Sequence, residues 1–392
     1  MLRVCGVTFD HTTNYGSCLQ GYALKTVISQ MTVGGEPCGY SILHSAGIRR
    51  REAAARKASG SVLHRIRTAG YNLIKQYRRK KFSGFEREHL RFTECRNRAD
   101  LKELNREFDA FICGSDVIWN FAYTKGDTLF FLDFADKYRF SYAASLGKAS
   151  LEAVREGVDL PEPAEAIYRR CISRLDGVSV REEYARELLA PYTDKTIEVT
   201  CDPTLLLTEE EWMKIADPEK NGKKYIFAYS TSTRPNFVSF LKKLSRQTGL
   251  PVVQVTWSAV DAIKQRSLTF PTPQRWLRLL HDAEYVVTNS FHGTAFSVLF
   301  HKTFFVAIQG ERNVRNNVRL YDFLNTLKLE SQLYSETPDT IPLTAPDYSF
   351  ADGQIAAMRE DSSGYIRRNL QVALDEKLTG KPTQTDGGVY NC

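Results

Sequence analysis

The sequence predicts an α/β fold of two domains, each built on a mostly parallel sheet. Three observations predict it. The chain has 392 residues, and roughly 100–200 residues per domain makes that two domains. Short apolar runs that end at small or polar residues alternate with segments of helical spacing, the pattern of strands joined by crossover helices. The series pauses in a polar stretch at 208–223 and then starts again.

An apolar run at 2–9 is followed by a polar loop over 10–17 and by helical spacing over 19–31. That is the opening of an α/β unit whose site lies at the carboxyl end of the strand. Residues 41–95 break the pattern, because 53–55 and 61–81 have a helical composition rich in Arg, Lys and Ala. Strand-like runs return at 108–113, 140–144, 177–180 and 196–201. Residues 208–223 read as a connection, since Glu209, Glu210, Asp217, Pro218, Asn221 and Gly222 are surface and turn residues. Beyond it, strands at 224–229, 252–255, 285–288 and 303–308 alternate with helices over 237–248 and 274–281, one starting at 295, and one over 319–327. The expected organisation is an N-terminal domain over 1–207 with a basic helical insertion at about 41–95. A C-terminal domain over 221–345 and a helix with a mobile tail over 346–392 follow.

Composition excludes several classes. Apolar residues make up 42% and charged residues 25%, so the chain can fill real cores. No run approaches the roughly 18 apolar residues that span a bilayer, and the N-terminus lacks a basic and then apolar leader. Eight cysteines stand without any C-x-x-C pair, which fits small buried hydrophobes in a reduced cytoplasmic protein and argues against a zinc site. The net charge is +7, yet residues 49–81 hold twelve Lys or Arg against one acid, which leaves the remainder slightly acidic. Two readings suit that segment. One is peripheral contact with an anionic membrane, where basic residues contribute roughly 1 kcal/mol each and Leu63, Ile66, Tyr71, Leu73 and Ile74 supply an apolar stripe. The other is a solvated helical insertion. Nucleic-acid binding lacks any recognisable module or stacking platform.

Five stretches carry candidate chemistry. At 285–300 an apolar strand ends at Asn289, and Ser290, Phe291, His292, Gly293 and Thr294 open a helix. Unsatisfied N–H groups and a positive dipole make a helix start an anion site, and His292 can move a proton near neutral pH. The same residues also suit plain helix capping. Arg181 stands at the end of a strand, where a guanidinium can hold a carboxylate or phosphate in two parallel bonds. Asp116 follows Gly114 and Ser115 at another strand end, with Trp119 and Asn120 beyond it. Asn14, Tyr15, Gly16 and Ser17 follow Asp10 and His11. Arg312, Arg315 and Arg319 bracket three asparagines in one loop. A solvated helix start, an N-cap and a solvated loop are the plainer readings of these last four.

Taken in order, the motifs resemble the polysaccharide pyruvyltransferase family. The matching residues are Asn14, Tyr15 and Gly16 with Leu19, Gln20, Tyr22, Ala23 and Leu24; Gly114, Ser115 and Asp116 with Trp119; and Tyr142 to Ser145 with Gly147. They continue with Ser179, Val180, Arg181 and Glu182; Asp202, Pro203 and Thr204; and residues 288–294, with a weaker match to about Leu329. Val117 departs from the pattern, where Gln is expected. The resemblance implies two Rossmann-like domains facing each other across a cleft, the GT-B arrangement. It implies phosphoenolpyruvate as donor, a saccharide hydroxyl pair as acceptor, a pyruvate ketal as product, and His292 and Arg181 at the donor. A lipid-linked or polysaccharide precursor of the bacterial cell surface is the expected acceptor. The enzyme would then be cytoplasmic and peripheral at the inner face of the plasma membrane.

On that reading, His292, Asp116 and Arg181 do the chemistry. Arg181, Ser290, His292, Gly293, Thr294, Arg315 and Arg319 hold the donor. Asn14, Tyr15, Asp116 and Trp119 hold the acceptor. The chemistry calls for a general acid, a general base and anion stabilisation, and requires no metal or other cofactor. Two rival functions fit the same scaffold: a nucleotide-sugar glycosyltransferase and a non-catalytic saccharide-binding subunit.

Overall fold

A computed structural model describes residues 1–48, 62–95, 97–148, 150–220, 222–232, 234–256, 270–308 and 317–380, the side chains of 62–75 aside. Two parallel sheets dominate it. In the first, strand β1 (Leu2–Val7) lies between β3 (Glu36–Leu43) and β5 (Ala110–Cys113), and β6 (Tyr138–Ser141) follows β5. The short strands β2 (Thr32–Val33) and β4 (Phe92–Thr93) pair with opposite ends of β3, β2 antiparallel and β4 parallel. Bridges from Phe140 to Gly177 and from Ala144 to Val180 carry the sheet on to β7 (Val178–Val180), which pairs with β8 (Ile197–Val199). The second sheet runs β10-β9-β11-β12-β13. Its strands are β9 (Ile226–Ser230), β10 (Val252–Thr256), β11 (Tyr285–Thr288), β12 (Thr303–Ala307) and β13 (Leu333–Tyr334).

Both orders contain a reversal. The chain leaves β1 towards β3 and returns to β5 on the other side. It leaves β9 towards β10 and returns to β11 on the other side. No crossover covers the gap at such a point, so a crevice opens beyond the carboxyl ends of the two strands. The segments after β1, β5, β9 and β11 are therefore the ones placed to build a site.

Local signals explain the helices. Helix α1 (Tyr15–Gln30) begins at its cap, Asn14, whose side chain accepts from the N–H groups of Gly16 and Ser17. It thus starts four residues earlier than hydrophobic spacing predicts. Helix α2 (Val62–His89) covers the expected basic helix and extends beyond it, because Phe82 and Phe85 anchor its last turns in the core. Residues 53–55 lie outside the described residues. Helices α3 (Ala164–Ile172) and α4 (Glu183–Leu189) flank β7. The presumed connection at 208–223 contains α5 (Glu209–Ile215), started by a capping box between Thr208 and Glu211 that an acidic surface reading passes over. Helices α6 (Pro235–Thr248), α7 (Pro273–His281), α8 (Phe291–Leu299) and α9 (Val318–Thr326) accompany the second sheet. The long α10 (Ser349–Thr379) then returns to the first sheet. There the Tyr365 hydroxyl donates to Ser141 O, the Tyr138 hydroxyl donates to Asn369 Oδ1, and Arg359 donates to Leu205 O.

The interior is not two separate cores. One face of each sheet has its own cluster, around Phe111, Trp119 and Tyr168 for the first and Phe237, Phe240 and Phe305 for the second. The largest cluster is continuous from Leu2 and Phe140 through Tyr15, Trp212 and Trp276 to Phe227 and Phe304. All described cysteines are free and buried. No helix among the described residues is long and apolar enough to cross a membrane.

Candidate functional site

A cavity of about 640 Å³ opens at both reversal points together, a size typical of small-ligand sites. From the first sheet it is lined by Phe9, Asp10 and Thr12 after β1 and by Asp116 and Val117 after β5. From the second it is lined by Thr231, Ser232 and Arg234 after β9 and by residues 289–292 after β11. Asn289 ties the latter two together, accepting from Thr231 N at 2.9 Å and donating to Ser232 O at 2.7 Å. Lys148, Arg234 and Arg319 contribute cationic side chains to the wall, and Asp10 and Asp116 contribute acids.

His292 sits in the first turn of α8. Ser290 caps that helix, its hydroxyl accepting from Gly293 N at 3.5 Å, and Thr294 Oγ1 donates to Ser290 O at 3.0 Å. Gly293 permits the close packing: a Cβ there would lie 2.3 Å from Thr288 Oγ1. The positive end of the α8 dipole and the His292 ring are thus presented at the cavity together. Ser290 and His292 line the cavity. Gly293 and Thr294 shape the turn behind them.

Behind His292 lies a row of buried charges that sequence reading did not assemble. Asp202 Oδ2 is 3.5 Å from His292 Nε2, an ion-pair distance too long for a good hydrogen bond, and accepts from Arg181 Nη1 at 2.6 Å. Asp202 Oδ1 is occupied by Thr204, through N–H at 3.0 Å and hydroxyl at 2.8 Å. Glu182 Oε1 accepts from Arg181 Nε at 2.9 Å and from Ser145 Oγ at 2.7 Å. The Arg181 guanidinium also stacks 4.3 Å over the Phe291 ring. Burial disfavours charge on both Arg181 and Asp202, but their neighbours outweigh it. Glu182 and Asp202 push the guanidinium above its ordinary value, and His292 with Arg181 holds the Asp202 carboxyl well below the usual carboxylate range.

Across the cavity, Asp116 holds a left-handed backbone, with φ of 69°. Its Oδ2 accepts from the Ser17 hydroxyl, and its Oδ1 accepts from Val117 N at 2.8 Å. Gln20 braces this turn, donating to Thr8 Oγ1 at 3.0 Å and accepting from Ser115 N at 3.2 Å.

The structure thus brings His292, Ser290, Asp116, Asn14 and Arg319 to one cavity and keeps other expected residues out of it. Arg181 is held behind the wall, because Asp202, Glu182 and Phe291 engage it. Tyr15 is 1% exposed, stacks on Trp276 and donates to Pro271 O, so its role is packing between the sheets. Trp119 is fully buried, stacks on Phe131 and donates to Phe130 O. An aromatic ring that finds both a stacking partner and an acceptor inside a core leaves nothing for a ligand. Arg315, like Arg312, lies outside the described residues. Asp202, Arg234 and Lys148 are residues that sequence reading left unassigned. The signal for Asp202 was its motif with Pro203 and Thr204, and Arg234 had only its place after a strand.

Residues 14–308 match the family model described as polysaccharide pyruvyl transferase, which spans most of the chain. No curated protein matches it.

Proposed function

The chain belongs to the polysaccharide pyruvyl transferase family, and from that premise we propose that it moves a pyruvyl group from phosphoenolpyruvate onto two hydroxyls of a saccharide, closing a pyruvate ketal. It is a transferase, and its family acts on saccharide acceptors. The proposal adds the donor, the residues and the setting. One observation carries it: His292, at the start of α8, faces the cavity with Asp202 and Arg181 fixed behind it.

In the proposed reaction the donor's phosphate and carboxylate lie against the α8 terminus and the cations Arg234, Arg319 and Lys148. His292 delivers the proton to the methylene carbon, and Asp202 stabilises the imidazolium that precedes transfer. Arg181 holds Asp202 in place, which makes it a positioning residue. A saccharide hydroxyl, its proton drawn by Asp116, attacks the oxocarbenium-like carbon. The bond from that carbon to the phosphate oxygen breaks and phosphate leaves with the proton that Asp116 took, and the second hydroxyl closes the ring as its proton returns to His292. Protons and bonds balance, with a ketal and inorganic phosphate as products.

The proposal includes a GT-B-like arrangement of two Rossmann-like domains, over 1–207 and 221–345, with 346–392 as the C-terminal helix and tail. The two chain reversals that meet at one cavity support it. It also includes a lipid-linked acceptor and contact of residues 49–81 with an anionic leaflet, supported by the excess of basic residues there.

Titration of phosphoenolpyruvate into the wild type and into His292→Ala tests the donor. Binding to the wild type, weakened at least tenfold by the substitution, is expected. Binding of a nucleoside diphosphate with no response to phosphoenolpyruvate would move the assignment to a glycosyltransferase.

A further inference from the structure

A second cluster at the same cavity edge has no part in that chemistry. After β1, His11 adopts a left-handed backbone, with φ of 49°, and its imidazole stacks on that of His44 with ring centroids 3.8 Å apart and 11° between planes. Asp10 Oδ2 lies 3.4 Å from His11 Nδ1 and 3.8 Å from His44 Nε2. Those two imidazole nitrogens are buried and have no hydrogen-bond partner. All three donor atoms lie within 4.8 Å of one another.

We propose that Asp10, His11 and His44 form a binding site for a divalent metal ion of the zinc class, with its fourth position open to the cavity. The distances suit this. Ligand atoms about 2.0–2.1 Å from a tetrahedral metal stand roughly 3.4 Å from one another. One edge already has that length. An imidazole binds an ion in its own plane, so binding also turns the two stacked rings apart until both lone pairs point at one position. Two imidazoles and a carboxylate are the donor set of open sites for zinc and its neighbours.

The outer groups are also those of a metal site. The Glu94 carboxylate lies 2.8 Å and 2.9 Å from His44 Nδ1; with Nδ1–H donating to it, the lone pair sits on Nε2, facing Asp10. Asp10 Oδ1 accepts from Ser45 Oγ at 2.6 Å and Ala46 N at 3.0 Å, which fixes the carboxylate. The Phe92 ring stands 4.8 Å from His11 as an apolar wall. Asp10 lines the cavity, so a bound cation would add positive charge beside the acidic wall made by Asp10 and Asp116.

The test is titration of metal-free, tag-free full-length protein with Co²⁺, read by calorimetry and by the visible absorption of tetrahedral cobalt. The expected result is one ion per chain at micromolar affinity, displaced by Zn²⁺. Asp10→Asn, which keeps an acceptor for Ser45 and Ala46, and His44→Ala both lose the site. Glu94→Gln weakens it by roughly 10–100-fold. Thermal unfolding of each variant confirms the fold, and Asp10→Asn stands in if His44→Ala is unfolded. Absence of binding below millimolar Co²⁺ and Zn²⁺, or equal binding by a folded His44→Ala or Asp10→Asn variant, overturns the proposal. Neither result depends on phosphoenolpyruvate, so this site and the proposed reaction stand or fall separately.

Discussion

Gly16 lies so close to His292 that a Cβ on it would sit 1.9 Å from the imidazole Nδ1. Nothing larger than hydrogen fits while the ring keeps its place beside Asp202. Gly16→Ala must therefore push either α1 or the ring. Misplacing a reacting group by about 1 Å costs on the order of 100-fold in rate. Overpacking costs about 1–3 kcal/mol in stability. The expected outcome is a folded protein, slightly less stable, with pyruvyl transfer reduced roughly 100-fold. Turnover and thermal melts on one preparation measure both. Unchanged turnover would mean that His292 is not held by this contact, or does not act in the reaction. Residues at this scale were unevenly legible. His292 and Asp116 follow recognisable strands, so their place could be read. Arg181 could be read only as a charge at a strand end. That it faces Asp202 and not the cavity depends on side chains from separate segments.

Helix α9 brings Asp322 towards three acids of the first-sheet side. Burial first, and then the charges of Glu182, Glu183 and Glu187, raise its carboxyl to about 6. A carboxyl with a raised folded value binds its proton more tightly in the native state. Its ionisation therefore costs stability progressively as pH climbs from the unfolded value, near 4, through about 6. Asp322→Asn is neutral at every pH. It should leave stability unchanged near pH 4 and raise it at pH 7.5, and denaturant unfolding at the two values checks this. A variant less stable than wild type at pH 7.5 would show that Asp322 is needed as an anion. Element starts show a matching limit of sequence reading. Helices α1 and α8 begin at Asn14 and Ser290, several residues before their apolar spacing becomes regular. Caps are set by one side chain bonding to the backbone, whereas spacing needs two turns to declare itself.

At the scale of the whole molecule, the sheets share the cluster that runs from Leu2 to Phe304, and α10 ties the end of the chain back to β6. The cavity is thus framed by a continuous interior. The charge is organised at this scale too. Of the twelve cations between 49 and 81, Arg78 is 5% exposed and donates to Thr13 O at 3.1 Å, and Arg79 pairs with Glu86. The proposed membrane contact rests on the basic residues that remain. Flotation with vesicles rich in anionic lipid should bring the protein up at low salt and release it at high salt. Vesicles of neutral lipid should leave it behind. Equal recovery with both kinds would remove the electrostatic contact, and none with either would make 49–81 an ordinary solvated insertion.

The alternation of strand and helix, the strand ends at which Asp116, Arg181 and His292 stand, and the family are all legible along the chain. All of these depend on neighbours along the chain, or on motifs in a fixed order. Which strand ends meet is a matter of the folded molecule, because the reversals at β1–β5 and β9–β11 are facts of strand order that no local pattern carries. The fold makes Tyr15 and Trp119 packing residues, since burial is a property of what surrounds a side chain. It also set Asp202 beside His292, and His44 beside Asp10 and His11. Metal-ligand spacing in a sequence reveals sites built on one turn or one helix. A site assembled across two parallel strands has no such spacing, and proximity comes only from the hydrogen-bonded register of β1 with β3.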